Sequence, residues 1–241
     1  MEHEKISLKL RIKLFITILK KDIKSEIRQI NDLFSILLFG VIAIFIFSSA
    51  YNYGTQIQNM PLEIFTIEIW FIIFFILIFI MTKLFNQEKE SGTLGGLITS
   101  PVSASTILLS KIFFCFILLT FVEVIIFLFS FFFSAPLIQN LSFLQILNYI
   151  ILGVILPSVD LAICGSLVSA FSMYVKNKSF VLPILLFPLI LPIITPIISI
   201  NINLFEGDLI TTLYYELFFI IAHITLMVSI LVIISQTLLY D

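Results

Sequence analysis

"NQEKESGTLGGLITSPVSAS", residues 86–105, is a hydrophilic, glycine- and serine-rich interruption between two of the most apolar runs in the chain, Ile69 to Thr82 and Ile112 to Phe133. The runs on either side are of the kind that crosses a bilayer, and the stretch between them is too polar to do so. A chain that alternates in this way is a polytopic membrane protein with residues 86–105 as one of its loops. Composition agrees: 60% of the 241 residues are hydrophobic, 12% are charged and the mean hydropathy is +1.19, far outside the range of a soluble domain.

Outward from this loop, the remaining uncharged runs are Leu33 to Tyr51, Tyr149 to Val175 (interrupted by Asp160), Phe180 to Ile200 and Leu217 to Tyr240. The run at Ile69 reaches spanning length if it starts near Pro61 and admits Glu63 and Glu68. The expected fold class is an all-α membrane protein with six transmembrane helices. Residues 1–32 form a cytoplasmic or interfacial leader, and residues 33–241 form the transmembrane domain.

Charge orients the six spans. Eight Lys/Arg precede the first span, three (Lys83, Lys89, Lys111) fall between the second and third, and two (Lys176, Lys178) between the fourth and fifth, which accounts for all 13. The three opposite loops contain no Lys or Arg, and their only charges are acidic. By the positive-inside rule both termini and the 86–105 loop face the cytoplasm or its equivalent. The membrane is expected to be a bacterial inner membrane, with the mitochondrial inner membrane as the other home. A cleaved signal peptide is not expected, because a charged leader precedes an apolar run long enough to span.

Within the leader, Leu8, Ile12, Phe15, Leu19, Ile23, Ile27 and Ile30 recur at helical spacing opposite Lys9, Lys13, Lys20, Lys24 and Arg28. This pattern predicts an amphipathic helix in the membrane interface. The strict alternation from Ile6 to Leu14 suits a strand, but a lone strand on a bilayer leaves its edges unpaired. A solvated basic leader is the plainer alternative.

The fourth span carries Gly153, Ser158, Ala162, Gly165, Ser166, Ser169 and Ala170 near i, i+4 spacing, a face that lets helices approach closely inside a bundle. In the fifth, Pro183, Pro188, Pro192 and Pro196 each remove a backbone donor and crowd the preceding turn. A straight helix is not expected there. A hinge, a pair of short broken helices and a kinked packing helix are all open readings.

Enzyme signatures are absent. Without a G-x-x-x-x-G-K-[ST] loop the chain cannot hold ATP in the usual way, and H-E-x-x-H, paired cysteines and G-x-S-x-G are missing too. No catalytic residue, bound cofactor, metal site or nucleic-acid partner is expected, and Cys115 and Cys164 read as small apolar fillers. Three ionisable groups fall inside spans: Glu123, Asp160 and His223. Such groups face the bundle interior or a wet cavity and are candidate functional sites, although structural hydrogen bonding is the favoured reading. With no Lys or Arg at membrane depth, the two acids are either protonated or accept from hydroxyls.

Within the 86–105 loop, Leu94, Leu97 and Ile98 form a short apolar stripe led by Glu88 and Glu90, with Ser91 or Gly92 opening the turn and Ser100-Pro101 closing it. This is an amphipathic helix suited to a groove on a soluble partner, or else to the lipid surface. Gly95 and Gly96 weaken it alone, which favours folding against a partner.

These residues carry a family resemblance. Glu88-Lys89-Glu90-Ser91-Gly92-Thr93-Leu94, followed by Ser100-Pro101-Val102-Ser103 and Lys111, resembles the loop after the second span of ABC-2 (type V) permeases. "KKDIKSEIRQ" (20–29), "FVEVIIF" (121–127) and "KSFVLPILLFPLILPIITP" (178–196) narrow the similarity to CcmB, the permease family of the cytochrome c maturation haem exporter. The chain departs from that pattern at Gly95 and Ala104.

The resemblance implies a six-helix permease that dimerises and binds two copies of a separate CcmA-like ATPase through a coupling helix in 86–105. It also implies a CcmC-like haem-handling membrane protein and a CcmD-like single-span subunit, with ATP held in the partner and haem handled by the complex. The alternatives are an ABC-2 permease for a lipid-linked glycan or a drug, and an ATP-independent transporter or channel that uses Glu123 and Asp160.

Overall fold

In lipid every backbone N–H and C=O must be satisfied within the chain, so apolar runs of this length fold as helices. A computed structural model of the protein describes residues 8–55, 60–85, 92, 95–96, 102–134, 143–172, 178–206 and 213–240, and the described residues are helical apart from short turns and termini. The elements are α1 (Leu8–Arg28), α2 (Ile30–Thr55), α3 (Leu62–Leu84), α4 (Ala104–Ser134), α5 (Phe143–Asn148), a π-helical segment π1 (Tyr149–Ile155), α6 (Leu156–Ser172), α7 (Lys178–Glu206) and α8 (Tyr214–Tyr240). Six helical segments are long and apolar enough to span: Ile30–Thr55, Leu62–Leu84, Ala104–Ser134, Phe143–Ser172, Phe180–Glu206 and Tyr214–Ser235. The second span does begin beside Pro61 and takes in Glu63 and Glu68.

α3 is the centre of the bundle, packing against α2, α4, α6 and α7. Its Phe65, Ile69, Trp70, Ile73, Ile76, Leu77 and Ile80 are all buried. α6 lies against α3, α4, α7 and α8. Its close approach follows from the small-residue face: Ser158, Ala162, Ser166, Ser169 and Ala170 are wholly buried, and a Cβ at Gly165 would stand 3.0 Å from Leu77 Cδ1. Hydroxyls staple the spans together, Ser169 Oγ donating to Met81 O at 2.7 Å and Ser48 Oγ to Phe133 O at 2.6 Å.

α1 is the expected helix, and the side it turns fully inward lies beside the apolar stripe rather than on it. Ile18, Asp22 and Glu26 are buried, whereas Ile12 and Ile27 are 51% and 65% exposed. The reason is that α1 lies along α4, with Phe15 edge-on to Phe113 at 5.3 Å, and two lysines of the bundle attract its acids inward. The fifth span, in turn, is one continuous helix through all four prolines and not a pair of broken pieces. Pro188, Pro192 and Pro196 recur every four residues and share a side, so their lost hydrogen bonds fall on one edge of the helix, while Pro183 lies on another face near the helix start.

Candidate functional site

Two of the three intramembrane ionisable groups meet. Asp160 on α6 and His223 on α8 are 63 residues apart, and His223 Nδ1 lies 3.0 and 2.9 Å from the two carboxylate oxygens of Asp160. Asp160 is fully buried and His223 nearly so. This contact holds the ring on the carboxylate, and among the described residues Nε2 has no hydrogen-bond partner. Cys164, one turn along α6, places Sγ 3.9 Å from Asp160 Oδ1. The donor atoms of Asp160, Cys164 and His223 lie within 4.8 Å of one another. This mixed oxygen, sulfur and nitrogen set suits a transition metal, one donor short of the four of a closed structural site. Spacing along the chain does not reveal it, because only the Asp160 and Cys164 pair is local.

Glu123 on α4 faces Ser158 on α6, whose hydroxyl touches Glu123 Oε2 and also lies 2.6 Å from the carbonyl of Val154. Just beyond, π1 widens the helix by a residue and opens its ladder. Asn201 of α7 fills the opening, its Nδ2 donating to Gly153 O at 3.1 Å and to Ile197 O at 2.9 Å. The fit is tight at Gly153, where a Cβ would sit 3.2 Å from both Asn201 Oδ1 and the Tyr149 ring. π-type insertions often mark functional positions. Neither the insertion nor its asparagine partner is signalled by any pattern in the sequence.

On α7, Pro188 and Pro192 are exposed, while Pro183 and Pro196 are half-buried. The buried edge is Leu182, Leu186, Ile190, Ile193, Ile197 and Ile200. The proline edge thus faces away from the chain's own bundle. Near its end Ser199 donates to Glu216 Oε1 at 3.1 Å and Asn203 donates to Ser199 at 3.3 Å.

Of the predicted coupling helix, Glu88, Glu90, Thr93, Leu94, Leu97, Ile98, Ser100 and Pro101 lie outside the described residues. Gly92 forms a turn at φ +71°, a left-handed conformation that side chains rarely adopt. Gly95 and Gly96 are helical and exposed. The loop returns to the bundle at Ser103, whose carbonyl accepts from the N–H groups of Thr106 and Ile107 at 2.9 and 3.2 Å.

A family model described as CcmB protein matches residues 13–235, nearly the whole chain. The chain belongs to the CcmB family. Comparison with curated proteins and with solved structures found no match. Membership in the CcmB family makes the chain a multi-pass permease of the cytochrome c maturation ABC system and assigns it to haem transport. In this CcmB family chain the matched region runs from within α1 to the last turns of α8.

Proposed function

We propose that this chain is the non-catalytic permease subunit that converts ATP hydrolysis by a separate CcmA-like ATPase, docked on residues 86–105, into movement of the transmembrane bundle. The work done is haem export or release of a haem-loaded chaperone. The observation that carries this reading is the position of α3: it leads directly into the loop and packs against α2, α4, α6 and α7, so displacement of the loop reaches nearly every span through one helix. Both termini and the loop face the cytoplasmic side of a bacterial inner membrane, an orientation that the distribution of Lys and Arg supports.

The working unit is two permease copies with two ATPases, a CcmC-like haem-handling protein and a CcmD-like single-span subunit. Haem is cargo of that assembly. The histidine inside this bundle is turned onto Asp160 and not toward the lipid face. The exposed proline edge of α7 supports a second copy, because carbonyls that have lost their donors are costly against hydrocarbon and are better covered by protein.

Replacing Leu94 and Leu97 with aspartate is expected to abolish co-purification of the ATPase while leaving the permease in the membrane. Undiminished association would sink the docking reading. Replacing Pro188 and Pro192 with alanine restores two backbone donors, and if α7 flexes during the cycle it is expected to stiffen the helix and lower cytochrome c maturation. Unchanged maturation would remove the hinge role.

A further inference from the structure

The buried face of α1 contains two carboxylates, one helical turn apart, which a helix merely resting on lipid does not need. Asp22 and Glu26 are only 6% and 5% exposed. Asp22 Oδ2 lies 3.1 Å from Nζ of Lys111, itself 3% exposed, and Asp22 Oδ1 lies 3.2 Å from its neighbour Lys21. Glu26 Oε1 lies 3.3 Å from Nζ of Lys83, which also lies 3.1 Å from Asp32 Oδ2.

These lysines have particular positions. Lys83 is in the last turn of α3, where the chain leaves for the 86–105 loop, and Lys111 is near the start of α4, where it has returned. The two stems also touch one another, the Lys111 ammonium standing 5.6 Å over the ring of Phe85, which is fully buried. Each carboxylate of α1 therefore holds one stem of the same loop.

Buried ion pairs add little net stability compared with apolar residues of the same volume, but they fix geometry, and removing one partner is expensive. Four charged groups at this place specify a distance and a register where leucines would supply adhesion alone. We propose that α1 is part of the coupling device: through Asp22 and Glu26 it clamps both stems of the loop, so that α1, α3 and α4 move as one body when the loop is displaced. Asp22, Glu26, Lys83 and Lys111 are positioning residues in this arrangement. The inference rests on the proposed docking of the ATPase at 86–105, and it fails separately from it.

The test uses the intact complex and a charge exchange. Asp22→Lys and Lys111→Asp alone are each expected to leave the ATPase bound and hydrolysing within about twofold of wild type while holocytochrome c falls about tenfold, and the double exchange is expected to restore at least about half of it, as for a directly coupled pair. Lys83→Gln, at a partly exposed ammonium, is the milder variant that keeps the comparison readable where Lys111→Asp fails to insert, and it should lower holocytochrome c by roughly threefold with hydrolysis retained. The clamp is overturned if the single variants mature cytochrome c normally, if the double exchange restores nothing, or if Lys83→Gln has no effect. It is also overturned if the single reversals lose the ATPase altogether, which would make the contact structural. Failure of the docking reading shows instead as an ATPase that stays bound to the Leu94 and Leu97 aspartate variant.

Discussion

Replacing His223 with leucine is expected to cost about 3 kcal/mol of bundle stability, and replacing Asp160 with leucine as well is expected to return most of that loss. Both oxygens of Asp160 rest on a single ring nitrogen, and Cys164 Sγ, at 3.9 Å, is a weak and distant donor. Without the imidazole, a buried carboxyl keeps almost no compensation. The converse variant, Asp160→Leu, leaves the ring nitrogen of His223 without its carboxylate and is expected to cost about 1–2 kcal/mol, the penalty of an unsatisfied polar group. The double leucine variant removes both polar groups from a site already lined by α6 and α8, and is expected to lie within about 1 kcal/mol of wild type. Unfolding of the purified chain by SDS titration, followed through the emission of its single tryptophan at position 70, gives the three values. If the losses simply add in the double variant, the two side chains do not support one another.

Gly165→Leu is the second large effect, expected to cost about 3 kcal/mol through overpacking. The Cβ alone would meet Leu77 Cδ1 at 3.0 Å and Met81 Cγ and Sδ at 3.1 Å, and three further carbons have nowhere to go without parting α6 from α3. Parting them also strains the Ser169 bond to Met81 O, one turn further along α6. Gly95→Leu serves as the control: nothing lies within 4 Å of a Cβ there, so its effect on bundle stability should be negligible in the same titration. Equal losses at the two positions would mean that α6 does not owe its place to its small residues.

The six spans are legible in the sequence because hydrocarbon thickness imposes a minimum run length, and the small face of the fourth span is legible because close helix approach demands small side chains. The orientation of α1 is not. Its isoleucines at 12 and 27 read as part of a membrane-facing stripe, but which side turns inward is decided by lysines on α3 and α4, which no local periodicity contains. The meeting of Asp160 with His223 is hidden for the same reason, since it depends on which spans become neighbours. The fifth span misleads in the opposite direction. Proline is weighed residue by residue as a helix breaker, whereas the buried Leu182, Leu186, Ile190, Ile193, Ile197 and Ile200 hold α7 to the bundle along its whole length.

The inward acids of α1 bear on how the chain is made. α1 is made before the six spans, but Glu26 meets a partner 57 residues later at Lys83, and Asp22 must wait for Lys111. Synthesis runs from the N-terminus, so α1 exists for a time as a helix whose recognition face is unfilled. Its outward side, with Leu10, Ile12, Ile16 and Ile27 among basic residues, is suited to hold it on the leaflet during that interval. α1 therefore reaches its final seat only once the third span has been inserted, although it precedes all six spans along the chain.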